Sequence, residues 1–166
     1  MTQMAADIEQ FRLPRFREIP DVGLYLDQTV KYINRFLSPL GMEITASMIS
    51  NYVKKGYIPS PLRKQYNAEQ IARLFFLSIA KQVISMENIA RLFTMQKKTY
   101  QNDIAYNYFC TELENTLAFT FELTDHIQDT ATTDTPAQRL LRSAIVAVAH
   151  TIYLNDQLEK ISITEQ

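Results

Sequence analysis

The stretch ITASMISNYVKKGYIPSPLRKQYNAEQIARL, from Ile44 to Leu74, decides how this chain is built. Thr45 is a helix-capping residue, and Met48, Ile49, Tyr52 and Val53 follow it at helical spacing, which predicts a short helix over about 46–55. Gly56 supplies the residue that tolerates positive φ where such a helix ends. Between Tyr57 and Tyr66, Pro59 and Pro61 oppose a helix while Arg63 and Lys64 make the segment basic, so a loop or small wing is expected. Asn67 then caps a helix that carries Ile71, Leu74, Phe75, Ser78 and Ile79 on one face.

Working outward, Asp21 is expected to cap a first helix over 22–37, in which Leu24, Val30 (or Thr29), Ile33 and Leu37 recur before Ser38, Pro39 and Gly41 stop it. Residues 1–20 lack apolar periodicity, contain Pro14 and Pro20, and carry Arg12, Arg15 and Arg17; they read as a basic, loosely packed arm. Downstream, Ser85 caps a helix with Ile89, Leu92 and Phe93. A long helix over about 103–125 places Tyr106, Phe109, Leu113, Leu117 and Phe121 on one stripe, widened by Ile104, Phe119 and Leu123, with Glu112, Glu114 and Glu122 expected on a solvated face. A polar stretch covers 128–135, and Pro136 opens a last helix with Leu141, Ile145, Val148 and Ile152. The expected organisation is an arm over 1–20, a module over 21–97 and a helical region over 98–166, in which the last two helices form a hairpin. The fold class is all-α.

Composition narrows the function classes. With 46% hydrophobic and 21% charged residues among 166, the chain can bury an ordinary core. Cys110 is the single cysteine, so an intrachain disulfide and a thiolate metal cluster are both excluded, and a cytoplasmic setting is expected. Residues 1–10 hold Asp7 and Glu9 without an apolar run, which argues against a signal peptide. The longest apolar run, Ala144 to Ala149, is far below the roughly 20 residues of a membrane-spanning helix, so no membrane partner is expected. Charge is divided unevenly. Residues 1–98 hold 14 Lys and Arg against 8 Asp and Glu, a net +6, whereas residues 99–166 hold 3 against 10, a net −7. A positive half suits phosphate and an acidic half is repelled by it.

Catalysis finds little support. His126 and His150 lack the Cys or Glu spacing of a zinc site, no Gly-rich phosphate loop is present, and Cys110 lies amid Tyr106, Tyr108 and Phe109, where a buried thiol is the ordinary case. Neither an enzyme, a metal nor a cofactor is expected.

The order helix, turn, short helix, basic Pro-containing loop and two further helices is that of a winged helix-turn-helix. Within it Thr45, Ser47, Ser50 and Asn51 are short polar side chains that let a helix backbone approach base edges, where Asn can pair with adenine. Lys54, Lys55, Arg63 and Lys64 suit phosphates, and Tyr52 and Tyr66 offer hydroxyls or packing. The expected partner is duplex DNA, bound by a homodimer that forms through the apolar stripes of the C-terminal helices. A small-molecule effector inside the C-terminal helices stays open, with no polar constellation to name it. The rival expectation is an adaptor with the same fold that binds protein instead of DNA.

Three segments resemble the DNA-binding module of the MerR family of bacterial regulators. Tyr52, Lys54, Lys55, Gly56, Tyr57, Ile58 and Pro59 are similar to the Tyr-x-x-x-Gly-Leu-Leu-Pro run that closes that family's recognition helix. Tyr66 to Leu74 (YNAEQIARL) is similar to its Tyr-Ser-x-x-Asp-Leu-x-x-Leu helix start, and Ile84 to Ile89 (ISMENI) to its Phe-Ser-Leu-x-x-Ile. The resemblance implies a DNA-reading helix, though Ser50 and Asn51 stand where MerR proteins carry Arg and Tyr. Overall the chain resembles a bacterial family of unknown function, domain of unknown function 1836, whose members share this module and a helical C-terminal part, and which implies neither a ligand nor an operator.

Overall fold

Local capping chemistry sets most of the helices found in the computed structural model, which describes residues 2–127 and 134–164, residue 163 by its backbone alone. Seven α-helices occur among the described residues: α1 Gln3–Gln10, α2 Leu26–Leu37, α3 Ala46–Lys54, α4 Ala68–Ala80, α5 Met86–Lys97, α6 Asn102–Thr120 and α7 Pro136–Thr164. Single turns of 3-10 helix lie at Phe16–Glu18 and Ser38–Leu40. Thr45, Asn67 and Ser85 cap as expected, their side chains accepting from the N–H groups of Met48, Gln70 and Asn88. Thr135 and Gln138 cap α7 reciprocally, and Pro136 takes its first position, where a missing N–H does no harm. Most of the polar stretch over 128–135 lies outside the described residues. Pairing between extended segments is limited to two isolated bridges among the described residues, Leu24 with Tyr66 and Leu62 with Gln65, so the fold class is all-α. No helix among the described residues is long and apolar enough to cross a membrane.

The core is one apolar cluster that runs from Ala5 to Ile152. Helix α4 lies at its centre, with Ile71, Leu74, Phe75, Leu77 and Ile79 fully buried. The Phe75 ring meets the edges of Tyr32 and Phe36 on α2 and the tilted ring of Tyr106 on α6, the offset geometries that ring quadrupoles favour.

Four expectations are corrected. Residues 2–19 are no loose arm: Ile8, Phe11, Leu13 and Ile19 are buried, and Arg15 grips both carboxylate oxygens of Glu114 on α6 at 2.7 and 2.8 Å. Helix α2 starts at Leu26 rather than 22 because Leu24 is held extended by its pair of hydrogen bonds with Tyr66; Asp21 therefore stands outside the helix, and Gln28 Oε1 accepts from the Tyr25 N–H instead. Gly23 permits that detour, since φ is +84° there and a Cβ would meet Gln65 Oε1 at 2.8 Å. Helices α6 and α7 do not form an antiparallel hairpin. Tyr108 pairs with Arg142 near the start of both, and Phe121 packs on Tyr153 farther along both, so they run in the same direction. Lastly, Glu112 is buried and Glu114 is ion-paired; of the three carboxylates expected on a solvated face, Glu122 alone is exposed.

This packing uses up most of the stripes that suggested a dimer, while Ile104 and Phe119 stay exposed. Tyr106, Phe109, Leu113, Leu117 and Phe121 of the α6 region are buried within the chain, as are Ile145, Val148 and Ile152 of α7, with Leu141 half-buried.

Candidate nucleic-acid interface

Helix α3 owes its position to the turn before it. The Asn34 side chain, on α2, donates to the Ile44 carbonyl and accepts from the Ile44 N–H, both at 2.8 Å. One amide thus satisfies both backbone groups of Ile44 and fixes the entry into α3. Two turns of α3 then split by face. Ile49 and Tyr52 are buried, Met48 and Val53 half-buried, and Ser47, Ser50, Asn51 and Lys54, spaced 0, 3, 4 and 7 along the helix, are all exposed. Thr45 and Lys55 are exposed at its two ends. No carboxylate occurs on α3.

Lys81 anchors the buried side of α3. Its Nζ donates to the Tyr52 hydroxyl at 3.1 Å and lies 3.6 Å from the Met48 sulfur, so a cation from α4's C-terminal cap is engaged beneath the helix and absent from its outer face. The helix ends at Gly56, whose φ of +80° lets the chain turn back and seat Ile58 in the core.

The basic segment beyond it is a two-residue turn. The Gln65 N–H donates to the Leu62 carbonyl at 2.9 Å, and Arg63 and Lys64 occupy its tip at φ +52° and +64°. Positive φ at both central positions is the geometry of a tight hairpin turn, which usually selects Asn or Gly. Here two long cations hold it, both exposed. The base of the turn is fixed by Gln70, whose Nε2 donates to the Pro59 and Ser60 carbonyls at 3.0 and 3.1 Å.

Eight of the ten residues singled out in the sequence are exposed, six on α3 and its two ends and two at the turn that follows: Thr45, Ser47, Ser50, Asn51, Lys54, Lys55, Arg63 and Lys64. The other two are core residues. Tyr52 is 7% exposed and Tyr66 4%, and burial raises the Tyr66 phenol above its ordinary range. Their role here is packing, the alternative to contact that the sequence left open for both. Asn34, Gln70 and Lys81, which position the surface without belonging to it, do not stand out in the sequence. A mid-helix Asn before a Pro-Leu-Gly turn is the one local sign that could mark Asn34.

Comparison with known proteins adds a family and nothing finer. No curated protein and no solved structure matched the chain. The family described as a domain of unknown function (DUF1836) matches residues 14–110, more than half of the chain. That span begins at Pro14, inside the strap of residues 2–19 that docks on α6, and ends at Cys110 within α6, so it takes in α2 to α5 and the later part of that strap. The chain belongs to the DUF1836 family.

Proposed function

We propose that α3 and the Leu62–Gln65 turn form a duplex-DNA-binding surface, the recognition helix and a vestigial wing of a winged helix-turn-helix related to that of MerR regulators, and that the chain regulates transcription. The observation that supports this most directly is the exposed face of α3. Ser47, Ser50 and Asn51 offer short hydrogen-bonding groups to base edges, and Lys54 and Lys55 stand where phosphates flank a groove-inserted helix. Arg63 and Lys64, exposed at the tip of the turn that follows α3 in the chain, add two further cations. With Ser50 and Asn51 in place of Arg and Tyr, affinity rests more on these four cations than on base contacts.

The second copy that a two-fold DNA site requires would join through α7. Leu140, Ala144, Ala147, Thr151, Leu154, Leu158 and Ile161 alternate at spacings of four and three, the seam of a two-stranded coiled coil. Leu140, Leu154, Leu158 and Ile161 are each at least half exposed in the single chain, and a self-complementary helix of this kind fits another copy of itself. Dimerisation is expected by sedimentation at micromolar concentration, and Leu154→Glu should leave monomers. A monomeric wild-type chain would remove this part of the proposal.

Fluorescence anisotropy against a randomised duplex pool, titrated with salt, tests the DNA surface. Retention at low salt is expected, with Lys54→Ala lowering the slope of log K against log salt by about 1. If no duplex is retained at low salt, the reading fails in favour of a protein-binding adaptor.

A further inference from the structure

A cavity of about 390 Å³ opens between the base of the basic turn, α4, α5 and the starts of α6 and α7. Its volume falls in the range of small-molecule sites. The walls are largely apolar and aromatic, with Phe76, Phe93, Tyr108, Phe109 and Leu141 among them. Two cations line it, Lys97, which is exposed, and Arg73, which is half-buried. The Arg73 guanidinium lies 4.1 Å from the centre of the Phe93 ring, its Nε is buried without a hydrogen-bond partner, and it makes no ion pair among the described residues. Glu69, one turn earlier on α4, is exposed at the rim and beyond ion-pair distance.

A buried donor on a permanent charge is an arrangement that folded chains otherwise avoid, because the lost hydration is returned only by a partner. Stacking on Phe93 satisfies the face of the guanidinium and leaves its edge free. Burial lowers the Arg73 pKa, opposed weakly by Glu69, as expected of a charge without a near counter-ion. An anion's carboxylate supplies the missing acceptor, since its two oxygens match the guanidinium edge. The apolar walls require the rest of the molecule to be apolar.

We propose that this cavity binds a small amphipathic carboxylate, a monoanion whose head pairs with Arg73 and whose flat apolar body lies among Phe76, Phe109 and Leu141. The site does not depend on DNA binding. It does share a wall with the turn that carries Arg63 and Lys64, through Pro59, Ser60 and Leu62.

Calorimetric titration of the full chain with 2-naphthoate and with the neutral, equally sized 2-naphthamide tests this. The carboxylate should bind at least about tenfold more tightly than the amide, the scale of one charge-assisted hydrogen bond, and Arg73→Gln should bring the two affinities together. Equal affinities in the unaltered chain overturn the proposal, as does naphthoate failing to bind at millimolar concentration. A carboxylate preference that survives Arg73→Gln would place the anion elsewhere and overturn it as well. Arg73→Lys keeps the charge and removes the forked edge, so it should lower the preference for naphthoate; an unchanged preference in that variant overturns the proposal even if Arg73→Gln folds poorly.

Discussion

Over its nine residues α3 buries Ile49 and Tyr52 and turns Ser47, Ser50, Asn51 and Lys54 outward, whereas α6 over nineteen buries seven, two of them the polar Glu112 and Thr116. Helix α3 is held by one face and free on the other. Helix α6 is gripped nearly all round, by α4, by α7 and by the strap before α2. A substitution on the outer face of α3 should therefore alter binding with little effect on folding, while one on α6 should do the reverse. Leu113→Ala removes a fully buried side chain from α6 and should destabilise the chain by about 2–5 kcal/mol in urea denaturation. Asn51→Ala should change stability by no more than about 0.5 kcal/mol. Comparable losses from the two would break the contrast.

The strap sharpens it further. Glu114 receives two hydrogen bonds from Arg15 and a third from the Leu13 N–H at 2.9 Å, and the ion pair is less than a quarter exposed on either side. Glu114→Ala takes the counter-ion from Arg15, whose remaining partners are the Leu13 carbonyl and the Thr111 hydroxyl, leaves the Leu13 N–H without its acceptor, and should destabilise by about 2–3 kcal/mol. Proteolysis should then cut near Arg12 and Arg15 before it cuts elsewhere. A variant as stable as the parent would mean that the residues before α2 contribute little to the fold.

Cys110 gives a pH handle on the same helix. Burial pushes its thiol from the ordinary 9.0 up to about 12. A thiol whose folded pKa is raised stays protonated in the fold and ionises first in the unfolded chain, so its stabilising effect is complete below about pH 9 and fades as pH rises towards 12. By pH 10 about 1 kcal/mol should be lost to this group, and Cys110→Ala should show a correspondingly shallower alkaline decline. Iodoacetamide should label the native thiol only at the rate of unfolding. Rapid native labelling at pH 8 would show that α6 is more open than its packing implies.

What was legible in the sequence is what neighbours in the chain decide. Thr45, Asn67 and Ser85 each cap a residue three positions on, Gly56 turns the chain within two residues, and the apolar stripes of α4, α6 and α7 fall inward at helical spacing. What was missed is decided by partners distant in the chain. Arg15 finds Glu114 ninety-nine residues away; without that pairing Pro14 and Pro20 look like punctuation in an arm. The direction of α7 rests on Tyr108 with Arg142 and Phe121 with Tyr153, contacts that leave no periodic trace. For the candidate surface, residue type separated the exposed serines, Asn51 and lysines of α3 correctly, while Tyr52 and Tyr66 were ambiguous because an amphipathic ring fits a core or a groove equally well.

A small gain in stability, rather than a loss, separates folding from function most cleanly. Arg63 and Lys64 hold positive φ at the tip of a two-residue turn, a conformation in which a long side chain is disfavoured and Asn-Gly is at ease. Replacing the pair by Asn-Gly should raise stability by about 0.5–1 kcal/mol, because the new residues adopt the native dihedrals with less strain. It also removes two exposed cations from the edge that the turn presents. If that edge meets phosphates, the more stable protein should bind duplex DNA less tightly, with a salt slope smaller by up to about 2. A gain in stability with DNA affinity unchanged would detach the turn from the surface and leave α3 to act alone. A loss of stability would mean that the two cations make contacts which outweigh the strain of their backbone.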